Sequence, residues 1–399
     1  MNTPEPASNH PYVKQWLSHI RALTLEIGPR GSTTPEERQA AEYARAQFKQ
    51  LGLTPIWQEF KSAKSIFLPH IIAGFMMIFA FILFPLGGRL TAVMAALISI
   101  LAIISELQEL GFQNNLIRML IPKGISQNVH AVIPPVGDHQ QDILLVGHLD
   151  TQRTPLFFRT PLFVKIYAKF TTIIFIAYLL QTILYSLSVF FVWPWVWYVS
   201  ILTAICAVLM ISFLIEAEFS PFTSGANDNA SAAGLVLTLA EELHKNPLKN
   251  TRIFAVCTGC EEVQHYGMLA WYQQHLQMLK KPKAIVFELV GVAGPGYLTQ
   301  EGIIIPFKVD ENLLEKIEDL SKEHPEWGAY PVKVSGGNSE MADAIRHNIP
   351  AISLFGLTKG GEAPFWHQIG DTFDKMNPQV MENVWSLTMA FIRKIDQEQ

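Results

Sequence analysis

Two long stretches of this chain are almost free of charge, and they limit its fold more than any other feature. Residues 65–105 carry one formal charge, Arg89, and residues 170–215 carry none. A helix crossing the hydrocarbon core of a bilayer needs about 20 apolar residues, so each stretch is long enough for two passes. The first divides at Pro85-Leu86-Gly87-Gly88-Arg89, which predicts helices near 66–86 and 90–106. The second divides at Trp193-Pro194-Trp195, which predicts helices near 170–192 and 195–215. Phe190, Phe191, Trp193, Trp195, Trp197 and Tyr198 crowd that break, as aromatic side chains do at a membrane interface. The competing reading is a pair of buried core helices. Uncharged length argues against it for 170–215, whereas the shorter 90–106 half fits either. The expectation is four transmembrane helices in two hairpins, 66–115 and 160–216, with a lipid bilayer as partner.

Two hairpins return the chain to the side it left, so every polar segment is expected on one face of the membrane. Lys61, Lys64, Arg118, Lys123, Arg153, Arg159, Lys165 and Lys169 flank the runs on that face, against Arg89 alone on the other. By the positive-inside rule this predicts a multi-pass protein of the cell membrane with its polar part in the cytoplasm. Residues 1–20 have neither the apolar core nor the small-residue cleavage site of a signal peptide. Charged residues make up 16% of the chain, well under the roughly 25% of soluble proteins, and disorder or a collagen-like repeat is excluded. A net charge of −5 offers nucleic acid no general attraction. Cys206, Cys257 and Cys260 are too few for a secreted disulfide framework and suit a reducing compartment. Nothing in the sequence sets an oligomeric state.

With the hairpins set aside, residues 1–65, 116–159 and 217–399 leave about 290 residues, a fitting size for one α/β domain. A helix over 35–51 has a clear start: Thr34 caps it, Pro35 suits the first turn and Glu37 has capping-box spacing. Strand patterns at Val129–Ile133, Ile143–Val146, Arg252–Cys257, Ala284–Phe287 and Ala351–Phe355 alternate with helical ones. The helical patterns are Ala230–His244, Tyr266–Gln277, Glu311–Glu323, Ser339–Arg346 and Pro378–Lys394. The alternation predicts a mostly parallel or mixed sheet with helices on both faces. Ligands of such sheets collect beyond the carboxyl ends of the strands.

Those ends carry the reactive side chains. Ile143–Val146 runs into Gly147-His148-Leu149-Asp150, where His148 is placed to bind a metal and Asp150 to accept its other ring N–H. A structural histidine beside a surface aspartate explains His-x-Asp equally well. Gly225-Ala226-Asn227-Asp228-Asn229 opens a helical pattern, so Asp228 reads either as a ligand or as a simple cap beside Asn227. Arg252–Cys257 ends in Glu261-Glu262, a solvated turn or a ligand next to a free base. Cys257-x-x-Cys260 lacks the second pair of a four-thiolate site and reads as structural. Glu288 ends a further strand, and Trp366-His367 with Asp371-Thr372 supplies a second loop histidine.

In this order the motifs resemble the zinc-dependent aminopeptidase family that includes bacterial leucyl-type aminopeptidases and glutamate carboxypeptidase. The resemblance extends to Gly28-Pro29-Arg30 and the 35–51 helix, and neither hairpin belongs to the usual pattern. It implies two zinc ions bridged by Asp228, one completed by His148 and Glu288, the other by Glu262 and His367. Cobalt or manganese would suit the same ligand types. It further implies Glu261 as general base and Asp150 as the carboxylate that orients His148. Glu288 stands where the family usually has Asp, and Ser335–Glu340 stands where it often has Ser-Asp.

The expected function is a membrane-anchored dizinc aminopeptidase acting on short peptides. One rival is a non-catalytic scaffold, disfavoured because every ligand position and Glu261 hold competent side chains. Another is single-zinc cyclisation of N-terminal glutamine, which Glu288 keeps open. Transport is disfavoured by the lack of Asp, Glu, Lys or Arg within the spans.

Overall fold

The β-branched and aliphatic runs build a nine-stranded mixed sheet in the computed structural model, which describes residues 6–191 and 193–397. Residues 1–5 and 398–399 of the expected polar segments, and residue 192 of the expected 170–192 helix, lie outside the described residues. The strands are β1 (Ile56–Ala63), β2 (Lys123–Ile133), β3 (Gln141–His148), β4 (Thr251–Thr258), β5 (Lys283–Glu288), β6 (Gly296–Glu301), β7 (Phe307–Lys308), β8 (Tyr330–Lys333) and β9 (Ala351–Phe355). Their order is β1-β2-β4-β3-β5-β9-β6-β7, with β8 on β6. The central four, β4-β3-β5-β9, are parallel, and β3 is buried along its whole length. Near-continuous apolar sequence is what a parallel strand covered on both faces requires.

The covering helices take opposite faces of the sheet. Gly147 of β3 lies against Ala232 of helix Ser231–Lys245, where an added Cβ would sit 2.9 Å from the Ala232 carbonyl carbon. Residues of the other parity, His130 and Phe254, meet Trp271 of helix Tyr266–His275 edge-on. The mixed α/β sheet expected from the sequence is therefore present.

Several elements differ from expectation. Helix Pro11–Arg21 and strands β1, β6, β7 and β8 had no assignment, because their apolar residues are interleaved with polar ones over short spans. Thr34 caps helix Pro35–Gln50 through the Glu37 amide, 3.3 Å away. Glu37 does not close a capping box with Thr34. Its carboxylate instead accepts from Thr33 N, Ser126 Oγ and Cys260 N. Neither Asn227 nor Asp228 caps helix Ser231–Lys245.

The contact pattern divides the chain into two units. The sheet unit comprises the chain up to Ser62, Lys123–Gln152, and the chain from Phe222; the helical unit comprises Ala63–Pro122 and Arg153–Pro221. The helical unit holds four helices long and apolar enough to cross a membrane, with mean hydropathy between 1.8 and 2.5. They are Leu68–Leu83 continued by a 3₁₀ turn to Leu86, Gly88–Leu110, Pro161–Ser188 and Trp195–Phe219. Three run past the predicted ends, because hydropathy marks the stretch that suits lipid and not the length of the helix. Small residues line the inside: Ala73, Ala80, Ala95, Ala96 and Ala102 are buried, and at Gly74 an added Cβ would lie 2.9 Å from Ile211 Cγ1, so only glycine fits that close approach. Large apolar side chains such as Phe79, Leu97, Leu180 and Leu202 face outward. Among the charges inside this unit, Glu109 pairs with Arg118 at 2.7 Å and His70 with Glu106 at 2.9 Å.

At the amino end of β3 the Asp142 carboxylate is fully buried. It accepts from Arg252 Nε and Nη2, both at 2.8 Å, from Lys280 N at 2.6 Å, and lies 2.7 Å from His139 Nε2. Burial alone would raise its pKa, but these donors hold it below the ordinary carboxylate range. A depressed folded-state pKa gives stability that is complete above the unfolded value, about 3.9. That stability is lost as pH falls through the folded value. We expect Asp142→Asn to cost about 2 kcal/mol near neutrality, the scale of hydrogen bonds to a charged group, and to flatten the acid limb of stability. Thermal unfolding of the purified chain across that pH range measures both.

Candidate active site

Register places the reactive side chains level with one another. His148 of β3 pairs with Thr258 of β4, and Val146 pairs with Val286 of β5 two residues before Glu288. The chain leaves β3 toward β4, and leaves β5 toward β9, so the crevice between β3 and β5 is a topological switch point. His148 and Glu288 flank that crevice, while Glu261 and Glu262 follow β4 in the next turn. Asp228 comes from the wide turn Ala226–Ala230 that enters helix Ser231–Lys245. His367 comes from the loop after β9.

Every site residue predicted from the sequence is brought to this place. His148 Nε2 lies 3.5 Å from Asp228 Oδ1, 3.5 Å from Glu288 Oε2 and 3.7 Å from Glu261 Oε2. On the other side, His367 Nε2 lies 3.3 Å from Asp228 Oδ2 and 3.3 Å from Glu262 Oε2. The two oxygens of Asp228 thus face two histidines from different parts of the chain. Ligand atoms of His148, Asp228 and Glu262 fall within 4.8 Å of one another, as do those of His148, Glu261 and Glu288.

Asp150 sits differently from the simple expectation. His148 Nδ1 is 3.1 Å from the Asp150 main-chain oxygen and 3.4 Å from its Oδ1. The carboxylate also accepts from Ser32 Oγ at 2.6 Å, Glu261 N at 3.0 Å and Glu262 N at 3.1 Å. Asp150 therefore fixes the Glu261-Glu262 turn as well as facing the His148 ring.

Other residues hold the loops, in roles that no motif marks. Arg30, fully buried, donates to the carbonyls of Leu23, Gly28, Leu149, Ser224 and Gly225 at 2.8–3.0 Å. It ties the loop after His148 to the turn before Asp228. Gly225 takes φ +59, and a Cβ there would lie 2.3 Å from Thr151 Cγ2. Asp371 receives Asn227 N at 2.7 Å and Asp228 N at 2.9 Å. Asn229 Nδ2 donates to Glu288 Oε2 at 2.6 Å. Cys260, Gln264, His265, Leu289, Phe365 and His367 all adopt positive φ, so uncommon backbone gathers around this site.

The electrostatics of the cluster call for a cation. Burial pushes Glu262 up to about 7 and Glu288 well above the ordinary carboxylate range. Burial opposes protonation of His367, but Glu262 and Asp228 raise it to about 10. Carboxylates disfavoured as anions and imidazoles held as cations are what such a site shows without metal. Glu262 Oε1 and Glu288 Oε1 are buried with no hydrogen-bond partner, a costly condition unless a ligand takes them. Imidazole nitrogen and carboxylate oxygen are suitable donors for zinc. The residues present therefore fit a divalent metal.

Because Arg30 joins both loops, Arg30→Lys is expected to weaken zinc binding by about 10- to 100-fold while far-UV circular dichroism stays unchanged. Competition against a chromophoric chelator reads the affinity.

Residues 210–392 match Peptidase family M28. The leucine aminopeptidase precursor of Bacteroides thetaiotaomicron shares the fold at TM-score 0.57 and 13% identity, over 100% of this chain and 99% of that one. The aminopeptidase of Aneurinibacillus sp. strain AM-1 does so at TM-score 0.55 and 14% identity, over 96% and 93%. The glutaminyl cyclase of Fimbriiglobus ruber does so at TM-score 0.56 and 15% identity, over 100% of both chains. No curated protein matches significantly. The resemblance read from the motifs is borne out: residues 210–392 of this chain carry the sequence pattern of Peptidase family M28, and its fold is shared with aminopeptidases and glutaminyl cyclases.

Proposed function

We propose that this chain is a membrane-anchored metallopeptidase, an aminopeptidase using two divalent metal ions. The observation that carries the reading is the Asp228 carboxylate, whose two oxygens face His148 and His367 at 3.5 and 3.3 Å. In this reading His148, Asp228 and Glu288 would hold one ion, and Asp228, Glu262 and His367 would hold the other. Zinc is the expected metal, with cobalt or manganese suited to the same donors. Bound there, such a pair would supply a water of lowered pKa and a polarised peptide carbonyl. Glu261 takes the proton of the attacking water at its carboxylate and passes it to the departing amine. Asp150 keeps His148 oriented and the Glu261-Glu262 turn in place. Peptides with a free amino end are the substrate class, since an ammonium group is welcome among these carboxylates. The four apolar helices anchor the enzyme in the bilayer, and the excess of Lys and Arg flanking them puts the peptidase unit in the cytoplasm.

A specific contact favours a second reading. Glu288 Oε2 is already engaged by Asn229 Nδ2 at 2.6 Å. If that bond draws Glu288 out of the ligand set, one metal would remain on Asp228, Glu262 and His367, and cyclisation of N-terminal glutamine becomes the chemistry.

Metal analysis with an aminoacyl-anilide and glutaminyl-peptide screen separates the readings. The expected result is close to two zinc ions per chain and amide hydrolysis abolished by chelator. One metal with full activity on glutaminyl peptides would establish the cyclase instead. Glu261→Gln is expected to retain its metal and lose roughly 10²- to 10⁴-fold in turnover; turnover at the wild-type rate would remove Glu261 as base.

A further inference from the structure

Behind Glu261, on the side away from the ligand cluster, stands a histidine that nothing in the proposed reaction uses. His265 Nε2 lies 3.1 Å from Glu261 Oε1, and its Nδ1 lies 2.7 Å from Asp343 Oδ2. Both side chains are nearly inaccessible to solvent, His265 at 2% and Asp343 at 0%. Glu261 is thereby addressed from two sides: Oε1 by His265, and Oε2 by the cluster, 3.7 Å from His148 Nε2.

We propose that His265, held by Asp343, is the positioning residue for Glu261. Its Nε2–H fixes the base carboxylate in the rotamer that presents Oε2 to the attacking water.

The backbone is shaped to bring the ring there. Glu261 O accepts from both Gln264 N at 3.0 Å and His265 N at 2.8 Å, closing a tight turn in which Gln264 and His265 take φ +83 and +56. Such backbone is uncommon for residues other than glycine and persists only where surrounding contacts enforce it. Gly267 completes the turn by passing Gly259 so closely that a Cβ would lie 2.1 Å from its carbonyl oxygen. Asp343 reaches His265 from helix Glu340–Arg346, which Ser339 caps through Met341 N.

An ionised carboxylate only accepts hydrogen bonds, so a ring lying between two of them must carry a proton on each nitrogen. Burial would lower the His265 pKa, but Asp343 and Glu261 raise it well above the ordinary value. Burial also pushes the nearby Glu301 and Glu340 up to about 8. Arg346 Nη1 stands 3.6 Å from Asp343 Oδ1, on the oxygen away from the ring contact. Charge and geometry thus agree on a fixed Asp343–His265–Glu261 line.

The inference rests on Glu261 being the general base, so its test has one arm in turnover and one outside it. In the full-length, zinc-loaded protein, His265→Leu is expected to lower kcat on the order of 10²-fold, the scale of a misplaced catalytic group. KM and zinc content should stay unchanged, since substrate and metal are held elsewhere. His265→Gln, which keeps an N–H donor, should recover part of the lost kcat. Asp343→Asn should lower kcat with the same unchanged KM. Wild-type kcat in His265→Leu would overturn the proposal, and so would an equal loss in the Leu and Gln variants. The second arm uses ¹⁵N-histidine NMR. The wild type should show a strongly downfield ring N–H signal that disappears in His265→Gln and moves in Glu261→Gln. A signal indifferent to Glu261→Gln overturns the proposal even if no substrate is turned over, whereas absent turnover with the signal intact refutes only the peptidase reading.

Discussion

Carboxylates gathered in a largely buried space can all stay ionised only if positive charge is supplied from somewhere. Asp228, Glu261, Glu262 and Glu288 share such a space with two imidazoles, and the rest of the sheet unit answers that requirement. His148 and His367 face the inner oxygens. His265 faces the outer oxygen of Glu261. Arg30 adds a buried guanidinium close by, though it spends its N–H groups on carbonyls and not on the acids. What these residues leave unanswered, the buried oxygens of Glu262 and Glu288, is the place for a divalent ion.

That demand also explains how the chain tolerates two long interruptions. The second leaves the sheet unit after Gln152 and re-enters at Phe222, between His148 and Asp228. Its two ends are held together at once: Thr223 N donates to Gln152 O at 2.9 Å, and Thr151 bridges to Gly31. Arg30 then grips both sides through Leu149 and Gly225. The first interruption leaves after β1 and returns in β2, which are neighbours in the sheet. Insertions whose ends are already adjacent add length without moving what they interrupt, and lengthening a loop costs little entropy once its ends are fixed. The helical unit can thus be large while the site keeps a spacing that a chain without it would have.

The sequence exposed the parts of this arrangement that have a local signature. Uninterrupted apolar runs such as Ile143–Val146 and Ile253–Cys257 fit the centre of a parallel sheet, and the acids and histidine soon after them are legible for that reason. The ends of the apolar helices were not legible, because Pro161–Ser188 goes on past Lys165 and Lys169 as helix although not as lipid-compatible sequence. Helix Pro11–Arg21 was missed since its buried Val13, Trp16, Leu17 and Ile20 are scattered among polar residues in a segment without a cap. The deeper gap concerns long-range partners. Asp371 acts on backbone amides more than 140 residues away, and Asp343 meets His265 from another helix. A single histidine four positions after Glu261 has no periodicity or spacing to mark it; only the fold gives it a neighbour.

Glu288 is where chemistry and packing meet. A carboxylate one methylene longer than aspartate reaches further from the end of β5, and Asn229, the residue after Asp228, is there to receive it at 2.6 Å. Asn229 is itself set by the same turn that aims Asp228, with its Oδ1 taking the Leu289 amide at 3.3 Å. The amide therefore links the shared ligand to the strand-end acid in both directions. If Glu288 keeps one oxygen on Asn229 and turns the other, Oε1, toward His148, it serves as a ligand and the pair of ions is complete. Amide hydrolysis then has a water to draw on. If Asn229 instead holds it off the metal, it lies beside His148 without serving as a ligand. In that state the site suits a reaction that consumes no water and only moves a proton from an attacking amine to departing ammonia. Under the two readings proposed above, the choice between the chemistries thus turns on whether Glu288 serves as a ligand, and its contact with Asn229 is where the fold bears on that.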